Sequence, residues 1–582
     1  MSRVAHMDKF ALERRIAGLE LVHRVGLSLS AERNHNRLIE RILVEAKELC
    51  HADGGTVYLV NDKTNALEFA IMLNDTMRTA LGGTTGRPID LPPIPIYLSD
   101  GQPNHHNVAT YVASSKQAVN IEDAYTVANF DFSGTKAFDV RNKYRSRSFL
   151  TLPMLNNADQ VIGVLQLINA RDRSTGEVIS FGPLEQEIVD ALASQAAIAL
   201  DNQMLIQQQR RLMEAFIQMI AAAIDAKSPY TGGHCERVPV VTEMLTRAAC
   251  DASDGPFKEF NLTEEEWYEL RIAAWLHDCG KVTTPVHVMD KSTKLETICD
   301  RIEIVRMRME VLRRDTMIRH LENGGRMSDD VLVQQISALQ DDMNFLERAN
   351  VGGETMSPMD QQRVRDIGAR RIFIDGRDRP LLTEDDVENL CITRGTLTDA
   401  ERLVINGHMV QTIRMLEALP FPRDLRRVPE YAGGHHETMD GKGYPKGLYA
   451  GDMSIPARIM AIADVFEALT AQDRPYKKGK ALSETMVIMA NMKRGHHLDP
   501  ALMDLFITSG VYRKYAERYL PPDLVDDVDE QAILDIKPAT LALPGDDERR
   551  RRWADFLPRY RPLVGNVLGA LSVPVHGAGG GA

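Results

Sequence analysis

Seven histidine and aspartate side chains between positions 234 and 464 of this 582-residue chain are of the types that bind transition-metal ions. Imidazole nitrogens and carboxylate oxygens together suit Fe, Mn or Zn, and in an adjacent His-Asp pair the carboxylate can bridge two ions. Two ions a few ångströms apart can hold a phosphodiester, acidify a water and shield the leaving oxygen. We therefore expect a site for two divalent ions, iron, manganese or zinc, held by His234, His277, Asp278, His408, His435, His436 and Asp464.

The residues around these candidate ligands form an ordered series of motifs. His277-Asp278 is followed by Cys279-Gly280-Lys281, and much later His435-His436 leads into Gly443-Tyr444-Pro445. Together with the segments 228–238, 455–459, 464–470 and 474–477, this series resembles the HD-GYP family over about half of the chain. The resemblance implies an all-helical, metal-dependent hydrolase of cyclic di-GMP that yields pGpG and, in some members, GMP.

The resemblance also implies roles for individual side chains. Asp278 would bridge the ions while a water attacks phosphorus in line with the ribose 3′ oxygen, and Lys281 would stabilise or protonate that oxygen. A helix-end salt bridge is the alternative role of Lys281. Some members hold a third ion with a glutamate where this chain has Tyr230, which favours two ions here. The substrate-binding residues would be Lys281, Gly443, Tyr444, Arg474 and Lys477, the last two as phosphate contacts.

Neighbouring residues receive less specific predictions. Glu437 is expected to support the fold or to orient a metal-bound imidazole, and His496 and His497 are expected to be structural. In the family, the Gly-Tyr-Pro loop is also thought to contact partner proteins, so a diguanylate cyclase is a second candidate partner for it.

The region 36–200 has a different pattern, with helices at 36–49 and 183–207 and strands at 55–60, 67–72, 148–154 and 163–169. It resembles a GAF domain, a sheet flanked by helices that often binds a small ligand. Of the signature of cyclic-nucleotide-binding members, Asn169 and Phe181 are present, but Ala170 and Glu185 replace a lysine and an aspartate. A sensor of an unknown ligand and a structural or dimerising module both remain open.

The linker 201–228 continues the helical pattern with no proline or glycine before Pro229. In relatives such a helix often pairs across a dimer, which predicts a homodimer with a signalling coiled coil. An ordinary core helix is the alternative.

The catalytic region contains an insertion, because His277 and His408 are about 130 positions apart. The segment 296–392 has helix-prone stretches at 301–321 and 329–348, which predict a helical hairpin. Its charged faces are expected to be solvated, with a lid or a partner-docking arm as alternatives.

Length and composition bound the remaining possibilities. A content of 44% hydrophobic residues allows ordinary cores, and a formal charge of −13 argues against a nonspecific nucleic-acid binder. The absence of a long apolar window and of CxxC pairs predicts a soluble, cytoplasmic protein with reduced thiols and no membrane contact. The predicted organisation is an α+β multidomain chain with an N-terminal helix (1–35), a GAF-like α/β sensor domain (36–200), a linker helix (201–228), an all-α HD-GYP domain with a helical insertion (229–520) and a loosely attached tail (521–582).

Two functions of other classes remain as alternatives. A helical His-Asp protein with two irons can activate dioxygen, although the Gly-Tyr-Pro loop and Lys281 argue against that reaction here. A signalling scaffold would bind a cyclic dinucleotide or a cyclase without hydrolysis, but such proteins usually have eroded ligands. An anaerobic assay tests the first alternative, and prolonged binding without pGpG formation would identify the second.

Overall fold

The computed structural model describes residues 20, 22–227, 233–322, 328–374, 376–471, 479–541 and 545. The chain divides into two compact units, Met1–Met213 and Glu214–Ala582. Among the helices of the described residues, none combines the length and apolar character that a bilayer span requires. The six cysteines are all free thiols, as the lack of CxxC pairs predicted.

The first unit is built on an antiparallel sheet whose order is β3-β2-β1-β7-β6-β5, with β4 beside β2 and β8 beside β7. The strands are β1 (Ala52–Asn61), β2 (Ala66–Asn74), β3 (Thr79–Gly82), β4 (Ile94–Pro95), β5 (Val119–Ile121), β6 (Phe149–Leu155), β7 (Val161–Arg171) and β8 (Val178–Ile179). In the central strand, Val57 lies opposite Ile71 on one side and Leu165 on the other. The four strands predicted from the sequence are therefore confirmed as β1, β2, β6 and β7.

Helices cover both faces of this sheet. They are α1 (22–31), α2 (His35–Cys50), α3 (Val108–Ser115), α4 (Ser133–Asn142) and the beginning of α5 (Pro183–Lys227). Val57 packs with residues of α1, α2 and α5, whereas its neighbour Tyr58 packs with residues of α3, because successive strand residues point to opposite faces. The sheet with helices on both faces matches the predicted α/β sensor domain.

Helix α5 is a single helix of 45 residues. Its early residues Leu192 and Leu200 are buried in the core of the first unit, and its last residue, Lys227, belongs to the second unit. The sequence between Pro183 and Lys227 contains neither proline nor glycine, so nothing interrupts the backbone hydrogen bonding. The predicted continuous helix through the linker is thus confirmed.

The second unit is predominantly helical. Its helices are α6 (His234–Cys250), α7 (Glu264–Leu276), α8 (Val286–Met289), α9 (Ile302–Glu322), α10 (Asp329–Val351), α11 (Pro358–Gly368), α12 (Glu384–Leu390), α13 (Asp399–Glu417), α14 (Val428–Gly433), α15 (Ile455–Thr470), α16 (Leu482–Arg494), α17 (Pro500–Thr508), α18 (Val511–Tyr519) and α19 (Glu530–Leu534). The main core joins α6, α15, α16, α17 and α18 through side chains such as Val241, Phe466, Met486, Phe506 and Tyr515.

The inserted segment has a hydrophobic core of its own, which includes Val305, Leu346 and Val364. Arg306 near the start of α9 pairs at 2.6 Å with Glu347 near the end of α10, so these helices form the predicted antiparallel hairpin. The sequence analysis missed a two-stranded hairpin, β9 (Arg371–Ile374) and β10 (Arg377–Pro380). Its signal was Gly376, whose φ of 70° suits a tight turn.

The prediction of a loose tail is wrong for residues 521–541. Ile533 is buried in the main core, and the Lys493 ammonium donates hydrogen bonds to the carbonyls of Ile533 and Leu534. The Tyr512 hydroxyl donates to Glu530 at 2.6 Å. Burial of Ile533 and α19 outweighs the charge around 526–530, on which the prediction depended.

Candidate metal centre

The seven predicted ligands lie together in the second unit. Their ligand atoms form two groups of four, and within each group all atoms are within 4.8 Å of one another. Asp278 belongs to both groups. One group is His234, His277, Asp278 and Asp464, and the other is Asp278, His408, His435 and His436.

Helix ends and helix interiors supply these side chains. His234 is the first residue of α6, and His277 and Asp278 directly follow α7. His408 lies within α13 and Asp464 within α15, whereas the doublet His435-His436 follows the short helix α14. All seven side chains are buried or nearly buried, so the core holds each one in a fixed direction.

Gly280 brings the His-Asp pair close to α13. Its N–H donates to the Thr412 hydroxyl at 2.9 Å, and a Cβ at this position would overlap the carbonyl oxygen of His408. Only glycine permits this approach of two backbones. The glycine of the His-Asp-x-Gly-Lys motif therefore allows His277 and Asp278 to lie close to His408, which belongs to the other group of ligands.

Three of the imidazoles make the same hydrogen bond to the backbone. His277, His408 and His435 each donate a hydrogen bond from Nδ1 to the carbonyl three residues earlier, at 2.8, 2.6 and 2.6 Å. Nε2 is then the unprotonated nitrogen of a neutral ring, and its lone pair is available to a metal. Burial lowers the pKa of His435 to about 4, which keeps this ring neutral.

The carboxylate of Asp278 divides its two oxygens between the groups. Oδ1 lies 3.3 Å from Nε2 of His408, whereas Oδ2 lies 3.2 Å from Nε2 of His277 and 3.4 Å from Nε2 of His234. Such a placement suits one carboxylate between two cations.

Several buried polar atoms at this centre have no hydrogen-bond partner in the described residues. They are Nε2 of His277, His408 and His435 and Oδ1 of Asp278. A buried polar atom without a partner is costly, and here four electron-pair donors converge on one place. The donor set therefore fits divalent metal ions.

The electrostatics at the centre are those of a closely coupled cluster. Burial alone would raise the pKa of Asp278, but the charge of Lys281 lowers it well below its usual range. Burial would also lower the pKa of His234, yet hydrogen bonds to Asp278, Asp464 and Glu467 raise it well above the ordinary value. The pKa of Asp464 is also lowered, chiefly by its hydrogen bond to His234, so Asp278 and Asp464 remain ionised near neutrality, which is the form that binds metal.

Glu467 contacts a predicted metal ligand, and this contact was not predicted from the sequence. Its carboxylate accepts a hydrogen bond from Nδ1 of His234 and another, at 2.6 Å, from Nε of Arg237. A carboxylate behind a ligating imidazole fixes the ring and raises its basicity. The signal was available, because Glu467 follows Asp464 by three residues and so lies one helical turn away.

Glu437 supports the loop rather than an imidazole. It accepts hydrogen bonds from the backbone N–H groups of Lys446 and Leu448, at 2.6 and 2.9 Å. A Cβ at Gly443 would overlap the backbone of Glu437 and Thr438, so the loop folds tightly on the residues after the His doublet. The prediction that Glu437 supports the fold agrees with these contacts.

Tyr444 lies against the ligand cluster. Its ring stacks on His436 with the ring centroids 4.8 Å apart and an interplanar angle of 24°. Its N–H donates to the carbonyl of His436 at 3.2 Å. Tyr444 therefore positions His436, a role that the sequence analysis did not assign.

Lys281 and the end of α5 meet beside the cluster. The Lys281 ammonium is 2.5 Å from Oδ2 of Asp278. The ammonium of Lys227 donates to the carbonyls of Lys281, Val282 and Thr284, at 3.1, 2.6 and 2.6 Å. Both lysines thus hold the turn that carries Asp278. The predicted phosphate contacts Arg474 and Lys477, and Tyr230, lie outside the described residues.

A cavity of about 800 Å³ adjoins the cluster. Its lining residues include His436, Gly443, Tyr444, Asn491, His497 and Arg394. His497, which the sequence analysis treated as structural, faces this cavity. The predicted substrate-binding residues Gly443 and Tyr444 therefore line a cavity that also contacts a predicted ligand.

Two segments match protein families. Residues 34–200 match the GAF domain and residues 385–502 match the HD domain. The HD match includes His408, His435, His436 and Asp464, whereas His234, His277 and Asp278 lie before it. In the structure, the ligands inside and outside the HD match lie together in the same two groups.

Curated relatives are similar over parts of the chain. A 3'3'-cGAMP-specific phosphodiesterase 1 of Vibrio cholerae is 41% identical over 19% of this chain and 25% of its own length. A probable cyclic di-GMP phosphodiesterase of the same organism is 45% identical over 21% of this chain and 28% of that protein. The 3'3'-cGAMP-specific phosphodiesterase 3 is 22% identical over 53% of this chain and 39% of its length. The matches thus span well under half of each of these relatives.

Fold, site and relatives define a class, namely proteins that join a GAF domain to a helical, metal-binding HD domain. Within that class, the intact Gly443-Tyr444-Pro445 loop and the relatives named above match the GAF-containing HD-GYP proteins that this chain resembles. The resemblance inferred from the motifs is thereby confirmed.

Proposed function

We propose that this protein is a metal-dependent phosphodiesterase that hydrolyses cyclic di-GMP to pGpG. The observation that carries the proposal is the Asp278 carboxylate, whose two oxygens face different groups of histidines. Hydrolases of phosphodiesters use such a pair of sites to hold the scissile group on both sides.

His234, His277 and Asp464 would hold one ion, His408, His435 and His436 the other, and Asp278 would bridge them. Two divalent cations at this centre would make a water nucleophilic and neutralise the charge that develops on the phosphodiester. Lys281, now 2.5 Å from Asp278, would stabilise or protonate the departing ribose oxygen. Burial of the cluster strengthens these electrostatic interactions by excluding water.

The substrate class is a cyclic dinucleotide. Relatives named for cyclic di-GMP and for 3'3'-cGAMP both match this chain, and the cavity beside His436 is of a size that suits a nucleotide. The GAF domain would regulate turnover, and Gly443-Tyr444-Pro445 would present a docking edge for a diguanylate cyclase.

A homodimer is part of the proposal. Leu205, Leu212 and Met219 on α5 recur at intervals of seven residues, and each is more than half exposed. A seven-residue apolar repeat on a helix favours pairing with a second helix. The test is the mass of the protein in solution, with Leu212→Glu expected to yield monomers.

The decisive experiment pairs elemental analysis with turnover of cyclic di-GMP by wild type and His277→Ala. We expect about two equivalents of metal in wild type, conversion to pGpG, and loss of both in the variant. Chelation should abolish activity, and re-addition of Fe, Mn or Zn should restore it. Turnover without oxygen would argue against the oxygenase alternative. If the metal-loaded protein bound cyclic di-GMP stably and left it intact, the scaffold function would be supported and the hydrolase proposal would fail.

A further inference from the structure

Arg394 is a cation at the edge of the cavity that adjoins the metal centre. It lies just after the inserted segment, and it is exposed. Lys442, which also lines the cavity, pairs at 2.6 Å with Asp440, so its charge is already balanced. Among the described residues, Arg394 forms no such ion pair with an acidic side chain.

The backbone on the N-terminal side of Arg394 is tied to the inserted segment. The buried Lys294 ammonium donates to the carbonyl of Ile392 at 2.8 Å. The carbonyl of Thr393 accepts from the N–H of Met356 at 2.9 Å. Met356 lies in the insertion, whereas Lys294 precedes it, so the backbone before Arg394 is held by one contact from each.

The backbone on the C-terminal side is tied to the residues before the insertion. The Thr396 hydroxyl donates to the carbonyl of Lys291 at 3.0 Å, and the Lys291 ammonium pairs with Glu401 at 2.8 Å. Held on both sides, the Arg394 backbone is pre-organised, which reduces the entropy lost when the side chain binds a ligand.

A cyclic dinucleotide has two phosphodiester groups, and the metal centre engages one of them. The second is an anion that must lie elsewhere in the pocket. The cavity is lined both by His436, a residue of the centre, and by Arg394, so one ligand within it can contact both. A guanidinium matches the two free oxygens of a phosphodiester with a pair of hydrogen bonds.

We propose that Arg394, positioned by the 296–392 insertion, binds the phosphodiester that is not cut and so helps to select cyclic dinucleotides over simple phosphodiesters. This inference depends on the proposed function, because it assigns a second binding contact to the same site. It also gives the insertion a role, namely that of a brace for a substrate-binding residue.

The test compares Arg394→Ala, Arg394→Lys and the control Arg377→Ala, which removes another exposed cation, on β10, that does not line the cavity. With cyclic di-GMP, we expect Arg394→Ala to raise KM about 10-fold to 100-fold with a small change in kcat, Arg394→Lys to restore part of the loss, and the control to match wild type. Hydrolysis of bis(p-nitrophenyl) phosphate, which has a single phosphodiester, should be the same in all variants.

An unchanged KM for cyclic di-GMP in Arg394→Ala would overturn the inference, and so would an equal loss with both substrates, since that would indicate a structural role. The two proposals can fail separately. If the wild-type enzyme does not cut cyclic di-GMP, the proposed function fails, and calorimetric titration of cyclic di-GMP into the metal-free proteins then decides about Arg394. Weaker binding by Arg394→Ala supports the contact, and equal or undetectable binding by wild type and variant refutes it.

Discussion

Asn169 in the first unit and His277, His408 and His435 in the second are all buried polar residues, but their hydrogen bonds differ. The Asn169 carbonyl oxygen accepts from the N–H groups of Arg147 and Ser148, and its amide donates to the Tyr144 hydroxyl and the Arg145 carbonyl. Each histidine satisfies one ring nitrogen and leaves Nε2 without a partner. A buried polar group whose hydrogen bonds are all made stabilises the structure. Buried polar atoms that converge without hydrogen-bond partners mark a ligand site instead.

Asn169 and Phe181 are the two residues of the cyclic-nucleotide signature that this chain retains. Asn169 adopts a left-handed conformation with φ of 58°, which asparagine tolerates better than most residues. Phe181 is buried in the core of the same unit. Both retained signature residues thus have structural contacts, which favours the structural reading of this signature over a nucleotide sensor.

The largest expected effect comes from the cluster of candidate metal ligands, in which three Nε2 atoms lack hydrogen-bond partners among the described residues. Asp278→Ala removes the residue shared by both ligand groups, and we expect turnover of cyclic di-GMP to fall roughly 1,000-fold or more, equivalent to about 4 kcal/mol. Steady-state kinetics and metal content measure the effect. Asp523→Ala, an exposed aspartate, serves as control. Retention of activity within tenfold in Asp278→Ala would mean that the cluster is not the catalytic centre.

The next largest effect, a loss of stability, should follow from a change in the hydrogen-bond network of Asn169. Asn169→Ala leaves the N–H groups of Arg147 and Ser148 without their acceptor, and we expect the free energy of unfolding of the first unit to fall by about 3 kcal/mol. Chemical denaturation measures it, with the exposed Asn142→Ala expected to change it by less than about 0.5 kcal/mol. Metal content should be unaltered. If stability were unchanged while metal was lost, the distinction between the two kinds of buried group would not hold.

Glu467→Gln tests whether the carboxylate that accepts a hydrogen bond from His234 contributes to metal binding. The amide keeps the shape but loses the charge that pairs with Arg237 and holds Nδ1 of His234, so we expect metal affinity to fall about 10-fold to 100-fold. Competition with a chromophoric chelator measures the affinity. Glu484→Gln on α16 is the matched control, since Glu484 is exposed and pairs only with a surface lysine among the described residues. Equal affinities would indicate that His234 needs no carboxylate partner.

The smallest effect should follow from Lys227→Met. The ammonium caps three carbonyls of the turn after Asp278, so its loss should lower kcat about threefold to tenfold without loss of metal. Arg211→Met, an exposed change on the same helix, should behave as wild type in the same assay. A kcat that is identical in Lys227→Met and wild type would show that the turn holds its geometry without the helix.

Much of this arrangement was predictable from the sequence. The continuous α5 followed from the absence of glycine and proline, and the convergence of His234, His277 and Asp464 followed from the motif series. The pairing of Glu467 with His234 was not predicted, although Glu467 lies one helical turn after the predicted ligand Asp464. The β9–β10 hairpin was missed since four-residue strands give too short a pattern, and α19 was missed because the acidic character of its surroundings concealed one buried isoleucine, Ile533.

The last turn of α5 contacts both sides of one ligand group. Asp225 accepts a hydrogen bond from the N–H of Cys235, next to His234, while Lys227 holds the carbonyls after Asp278. Each residue of an α-helix is turned about 100° from the one before it. A shift of α5 by a single residue would therefore point both side chains away from their partners at once. The geometry of His234 and Asp278 is in this sense set by the rotational phase of one helix, which makes the centre sensitive to torsion rather than to distance.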